Sequence, residues 1–299
     1  MINASTHASP VITVGDVTVA ALLDVDLDFP IPIDEVFPGA TADQWEVRRS
    51  RHPEAFTGAG GWRYLVTCYV IHIGDRRILV DTGCGPASLA FPSFLGVAGR
   101  LRERLAAMDV SVDEIDTVVI THIHPDHVGG VLSRDGSGPA FPRARFIVPR
   151  DDWEAWRRPE VQEAFPVPYV GDTIAPLIES GRVDLVEGEH SLCREIILTP
   201  TPGHTPGSSS VVIDSGGDEA LLVGDVWLHP SQVTEPSLAC AFDMVPELAA
   251  ATRAALAARI AERAALMGAC HFPQPFGQIV RLEGRHHWIP VADWHGATP

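Results

Sequence analysis

Residues 118–130 read VVITHIHPDHVGG. A run of β-branched residues ends at Thr121, and His122, His124, Asp126 and His127 follow within six positions. Histidines at i and i+2 on an extended chain leave it on the same side. Pro125 has no backbone N–H to donate and suits the first turn of a helix. The spacing therefore predicts a strand that delivers His122 and His124 to one side, then a helix start that carries Asp126 and His127. Gly129 and Gly130 would let that backbone pack closely. Imidazoles and a carboxylate crowded into one volume repel, or stay unpaired, unless a cation satisfies them. Zinc is the usual cation for nitrogen and oxygen donors of this kind. The plainer alternative is a group of surface histidines at a helix start.

If a metal sits here, further donors should lie at other strand ends, and three stretches supply them. TPTPGHTPGSS (199–209) puts His204 in a Gly/Pro turn between the strand-like runs CREIILT and SSVVID. LLVGDVW (221–227) puts Asp225 at the end of a strand, and MGACHFP (267–273) puts His271 just after a long helical run. Taken singly, a histidine in a turn or a Gly-Asp at a strand end has ordinary structural explanations. Taken with the first cluster, in this order, they form a pattern.

The remainder of the chain alternates strands and helices. VITVGDVTVAALLDVD predicts a hairpin about Gly15-Asp16, and WRYLVTCYVIHIG with DRRILVDTG a second about Gly74-Asp75. Apolar residues at helical spacing run through 95–109, and Ser111 with Glu114 matches a capping box. Pro246 opens a helix expected to stop at Gly268. Residues 29–61, rich in Pro, Gly and polar side chains, are expected to form a long loop covering a substrate site. No linker interrupts residues 1–299, so one domain is expected.

Composition narrows the partner. The net charge is −17, and all 22 basic side chains are arginine. Without lysine there is no Schiff-base or P-loop chemistry. Without a basic stripe the chain matches neither a nucleic-acid backbone nor an anionic membrane surface. A small molecule is the expected partner. No membrane span or basic leader is evident, which sets a cytoplasmic location as the expectation. Five scattered cysteines read as reduced thiols; Cys240, fifteen residues beyond Asp225, is expected to be buried.

THIHPDHVGG, PGHTPGS, LVGD, the final His271 and ILVDTG with Asp81 together resemble the metallo-β-lactamase superfamily, from about residue 62 to the C-terminus. That resemblance implies an α+β fold, a four-layer αββα sandwich with the site at one edge. It implies two zinc ions, with iron, manganese or cobalt left open. His122, His124 and His204 would hold one ion, Asp126, His127 and His271 the second, and Asp225 with a hydroxide would bridge them. Asp81 would orient a ligand or cap its turn. The stretches VTEPSL, AFDMVPELAAATR and ACHFPQPFGQI resemble the lactonase and methyl parathion hydrolase-like branch, which often forms homodimers.

The activity this implies is opening of a lactone, or cleavage of a carboxylic ester, of a small hydrophobic substrate, with Asp126 and Asp225 catalytic. An organophosphate triester hydrolase, a β-lactamase or a non-catalytic metal-containing protein are the alternatives. In acyl-homoserine lactonases of the quorum-quenching type, a tyrosine three residues after the bridging aspartate contacts substrate. Leu228 stands there in this chain, with His229 beside it as a candidate substrate contact. Trp62, Phe91, Phe94, Phe141 and Trp227 are the candidate pocket walls.

Overall fold

The computed structural model describes residues 9–133, 135–164 and 169–291. Its first sheet runs in chain order: β1 (Val11–Val14), β2 (Val17–Asp28), β3 (Arg63–Ile73), β4 (Arg76–Val80), β5 (Thr117–Val119), β6 (Arg145–Pro149) and β7 (Val183–Val186). Its second sheet holds β8 (His190–Ser191), β9 (Ile196–Pro200), β10 (Ser209–Ser215), β11 (Asp218–Leu222), β12 (Leu266–Gly268), β13 (Phe276–Leu282) and β14 (Arg285–Pro290), again as consecutive neighbours. Tight turns join β1 to β2 and β3 to β4 as antiparallel hairpins, with Gly15 and Gly74 at positive φ. From β4 to β7, and between β11 and β12, the pairing is parallel. Parallel pairing needs a crossover at each step, and helices supply most of the crossovers here.

Side-chain alternation explains the layers. Val119 of β5 and Ala220 and Leu222 of β11 face a core between the two sheets, shared with Val19, Ile71, Ile78, Val211, Ile213 and Phe276. Val118 faces the other way, onto Leu105, Trp156 and Leu177 of the helices over the first sheet. Leu221 likewise faces Leu256, Ala257 and Ile260 of the Pro246–Arg263 helix over the second. The result is the expected αββα sandwich.

Three sequence expectations need adjustment. Residues 29–61 are not a plain loop: they carry a short helix, Ile33–Val36, and a ten-residue helix, Ala42–Arg51. Thr41 and Gln44 close a capping box at the start of the second. Its Trp45 packs with Phe37 and Phe56 in a fourth apolar cluster. Residues 95–109 do not form one helix: Leu95 ends the helix Ala90–Leu95, Gly96 at φ 70 breaks the run, and a second helix spans Leu101–Ala107. The long helix ends at Ala264, which adopts a left-handed conformation at φ 50, and not at Gly268. Leu266–Gly268 is drawn instead into the sheet beside β11, where all three residues are buried.

All five cysteines are free, and Cys240 is buried as expected. None of the described helices is long and apolar enough to cross a membrane.

Candidate metal centre

The parallel strands β4, β5, β11 and β12 end at one edge of the sandwich, and the residues just beyond each strand build the site. Asp81 follows β4; His122, His124, Asp126 and His127 follow β5; Asp225 follows β11; His271 follows β12. His204 comes from the turn between β9 and β10. Two backbone hydrogen bonds hold the sheets together at this edge: the Ser209 N–H donates to Thr121 O at 2.9 Å, and the Thr67 N–H to Cys270 O at 3.1 Å. The carboxylate of buried Asp152 joins the two histidine loops, accepting from the Ile123 N–H at 2.5 Å and the Gly207 N–H at 2.9 Å. Neither Gly129 nor Gly207 could carry a side chain, since a Cβ would lie 2.0 Å from Cys84 O and 2.2 Å from Asp152 N, respectively.

The seven expected residues converge. His122 Nε2 and His204 Nε2 lie 3.0 and 2.9 Å from His124 Nδ1. Asp225 Oδ2 is 3.3 Å from His204 Nε2 and 3.7 Å from His122 Nε2. Around a second point, His127 Nε2 is 3.4 Å from Asp126 Oδ2 and 3.2 Å from Asp225 Oδ1. His271 Nε2 lies 3.5 Å from Asp126 Oδ2 and 3.0 Å from Asp225 Oδ2. Asp225 thus belongs to both groups. Cys270, beside His271, places its sulfur near the second group as well, a neighbour that the sequence marked only as a buried thiol.

Hydrogen bonds on the far ring nitrogens fix which atoms face inward. A carboxylate or carbonyl oxygen can only accept, so the nitrogen beside it carries the hydrogen. His127 Nδ1 donates to Asp81 Oδ2 at 2.8 Å, His204 Nδ1 to Asp243 Oδ1 at 3.0 Å, and His271 Nδ1 to Leu65 O at 2.5 Å. Each of the three therefore turns Nε2 towards the cluster. Asp81 also accepts from the Thr121 N–H and hydroxyl, both at 2.8 Å, so it orients the ligand loop and its φ of 61° is over-determined. Asp243 is held in turn by buried Arg253, whose Nη1 donates to it at 3.1 Å.

The donor set fits metal ions. Four donors about 2.0–2.1 Å from a tetrahedral zinc lie ~3.3 Å apart, and the separations above bracket that value. His127 Nε2 and Asp225 Oδ1 are buried and have no hydrogen-bond partner, as atoms reserved for a cation would be. Burial pushes the His127 and His271 imidazoles down, but the Asp225 carboxylate, with other neighbouring groups, lifts both well above their ordinary value. Burial opposes His204 too, yet hydrogen bonds to Asp225 and Asp243 raise it to about 9. Burial and the His204 neighbour lower His124 to about 3.

A cavity of about 210 Å³ opens onto the cluster. Phe29, Tyr64, Phe91, Trp156, Leu228 and Phe242 line it with His124, Asp126, His204, Asp225 and His271. A larger cavity of about 350 Å³, near Asp24, Arg102 and Phe141, contains none of the seven residues. Of the expected walls only Phe91 reaches the metal-side cavity; Trp62, Phe141 and Trp227 are fully buried elsewhere and Phe94 is exposed. His229 is a correction. It is fully buried among Phe37, Trp45 and Phe56, lies outside the lining, and accepts from the Ser231 N–H through Nδ1. Gln232 caps the Leu228 and His229 N–H groups and turns the segment so that Leu228, not His229, meets the cavity.

A fold of two seven-stranded sheets with metal-type donors along one edge defines the class, and comparison with known proteins agrees. The Metallo-beta-lactamase superfamily model matches residues 61–271, and the chain belongs to that superfamily. Among curated relatives, an N-acyl homoserine lactonase of a Bacillus species is 26% identical over 171 residues, 53% of this chain and 62% of the relative. The N-acyl homoserine lactonase AiiB of Rhizobium rhizogenes is 29% identical over 165 residues, 50% of this chain and 57% of the relative. The match thus spans less than two thirds of those relatives' length. Among solved structures, hydrolase AbOPH of the beta lactamase superfamily superposes with a TM-score of 0.82 at 25% identity, covering 96% of this chain and 99% of the other. AidC, a dizinc quorum-quenching lactonase bound to the product N-hexanoyl-L-homoserine, superposes with a TM-score of 0.80 at 20% identity, covering 95% and 98%.

Proposed function

We propose that the protein is a dinuclear metal-dependent hydrolase that opens a lactone or cleaves a carboxylic ester of a small hydrophobic substrate. The observation that carries this reading is the sharing of Asp225 by two donor clusters on the floor of an aromatic cavity. The relatives named as N-acyl homoserine lactonases favour the lactone.

His122, His124 and His204 would hold one ion, Asp126, His127 and His271 the other, with Asp225 between them. Bound zinc would supply water ionised near neutral pH and polarise the substrate carbonyl. The chain's residues do the remainder. Asp81, Asp243 and Leu65 O keep the imidazoles in the tautomer that leaves Nε2 free. The cavity falls below the roughly 300 Å³ at which ordinary ligand pockets begin. It therefore takes a compact ring and its nearest substituent, and longer tails leave by the mouth. Phe29, Phe91, Trp156 and Phe242 cover that body and displace water, which strengthens every electrostatic contact beneath. Asp126 is the carboxylate placed to carry a proton from the attacking water to the departing oxygen. One C–O bond forms, the ring or ester C–O bond breaks, and the product is a hydroxy acid, or an acid and an alcohol.

The test is a panel of homoserine lactones, aromatic lactones, aryl esters, a phosphotriester and a β-lactam, assayed with the zinc-loaded protein with and without chelator. Acid release from lactones, abolished by chelation and by Asp225→Ala, is expected. Turnover of the phosphotriester equal to or faster than that of any lactone or ester, or no turnover at all, would overturn the reading.

A further inference from the structure

Tyr64, at the start of β3, is the one hydroxyl-bearing residue in the cavity lining. Its phenol is buried and donates to Asp126 Oδ2 at 2.6 Å. That same oxygen faces His127 Nε2 and His271 Nε2, so it is the Asp126 atom that would reach the second ion. The Tyr64 ring also stacks on His271, with centroids 5.0 Å apart and planes at 26°. One side chain therefore touches two members of the second cluster, the carboxylate by a hydrogen bond and the imidazole by its face.

The tyrosine is itself fixed. Trp62 packs edge-on against it at 5.0 Å, and the Phe29 ring lies tilted against it at 4.7 Å. A carboxylate oxygen has two lone pairs. With one directed at the phenol, the other is left for the volume between the histidine nitrogens. Among the described residues no other hydroxyl, amide or guanidinium donates to the Asp126 carboxylate, whereas Asp81, Asp243 and Leu65 O hold the histidines from behind. Asp126 lies at the second position of a four-residue helix, whose backbone alone does not set χ1 and χ2.

We infer that Tyr64 is a positioning residue for the second metal ion: its hydroxyl holds Asp126 in the rotamer that completes the cluster. The inference rests on the dinuclear reading of the site. Partners of this kind around metal ligands are worth about 10–100-fold in metal affinity or activity.

Zinc is titrated into metal-free protein against a coloured competing chelator, for the wild type, Tyr64→Phe, Asp126→Ala and the double variant. Circular dichroism and unfolding midpoints of the metal-free forms check folding. The expected result is two ions bound by the wild type, with one of the two steps of Tyr64→Phe weakened about 10–100-fold and the other unchanged. Because Tyr64 acts through Asp126, removing its hydroxyl should add nothing once Asp126 is alanine. A wild type that binds fewer than two ions would refute the dinuclear reading itself. A wild type that binds two, with Tyr64→Phe binding both equally well, or with losses that add in the double variant, would overturn the role of Tyr64 and leave the centre standing. Should Tyr64→Phe fail to fold, Asp126→Asn, which keeps a group for the phenol to bond while weakening the ligand, must lose one step alone; loss of both steps would overturn the assignment of Asp126 to the second ion, and with it the inference.

Discussion

Replacing Asp243 by asparagine tests how the first cluster is held. Asp243 is buried and accepts from His204 Nδ1 at 3.0 Å and from Arg253 Nη1 at 3.1 Å. Arg253 is 1% exposed, and its Nε donates to Pro236 O at 2.9 Å. Asparagine has one acceptor oxygen and no charge, so it can serve His204 or Arg253 but not both. A buried donor left unpaired costs about 1–3 kcal/mol, more for a charged one. Losing the partner that orients a ligating histidine costs about 10–100-fold in metal affinity, equal to about 1.4–2.8 kcal/mol. Asp243→Asn should therefore lower the urea midpoint of the metal-free protein and weaken one of the two zinc steps by that factor. Arg253→Met leaves the His204–Asp243 hydrogen bond in place, so its larger effect should fall on stability. Asp243→Asn that folds and binds zinc within about two-fold of the wild type, against the 10–100-fold expected, would refute the argument that this relay sets the His204 imidazole.

Other outcomes rest on single features. Burial raises the Asp24 carboxyl to about 6, against backbone hydrogen bonds from Cys84 and Leu101. The folded protein then holds a proton that the unfolded chain releases near pH 4, so unfolding free energy should fall as pH rises from about 4 to 6, by about 3 kcal/mol in all. Urea unfolding at pH 4.5 and 6.5 should show that difference shrink in Asp24→Asn, and an unchanged difference would contradict it. Exposed Ala264 sits at φ 50 at the end of the long helix, so Ala264→Gly should stabilise the fold by about 0.5–1 kcal/mol, read as a higher urea midpoint. His229→Leu should change stability and leave KM for the best substrate alone, because the ring is packed among Phe37, Trp45 and Phe56 outside the cavity; a selective rise in KM would restore it to the site.

The convergence of the candidate donors was legible because their chemistry is local. His122 to His127 lie at one strand end, Asp225 closes a strand-like run and His204 sits in a turn between two such runs, whereas His271, expected just after the long helix, follows the strand β12. The cavity wall was not legible in the same way. Phe29, Tyr64, Trp156 and Phe242 come from four separate segments, and nothing local distinguishes them from core aromatics such as Trp62 and Trp227. His229 misled because standing beside Leu228 in sequence says nothing of direction once Gln232 caps the turn. The helix within residues 29–61 did carry a readable signal, Thr41 with Gln44, hidden by the Pro and Gly around it. The end of the long helix followed tertiary demand: burial of Leu266–Gly268 beside β11 outweighed the preference for glycine at a helix terminus.

The central claim is that seven side chains from separate chain segments hold two cations. Anomalous diffraction at the zinc edge, from crystals of zinc-loaded protein, tests it most directly. Two peaks about 3.5–4 Å apart are predicted, one among His122, His124 and His204 and one among Asp126, His127 and His271, with Asp225 between them. A single peak, or density away from these residues, would contradict it.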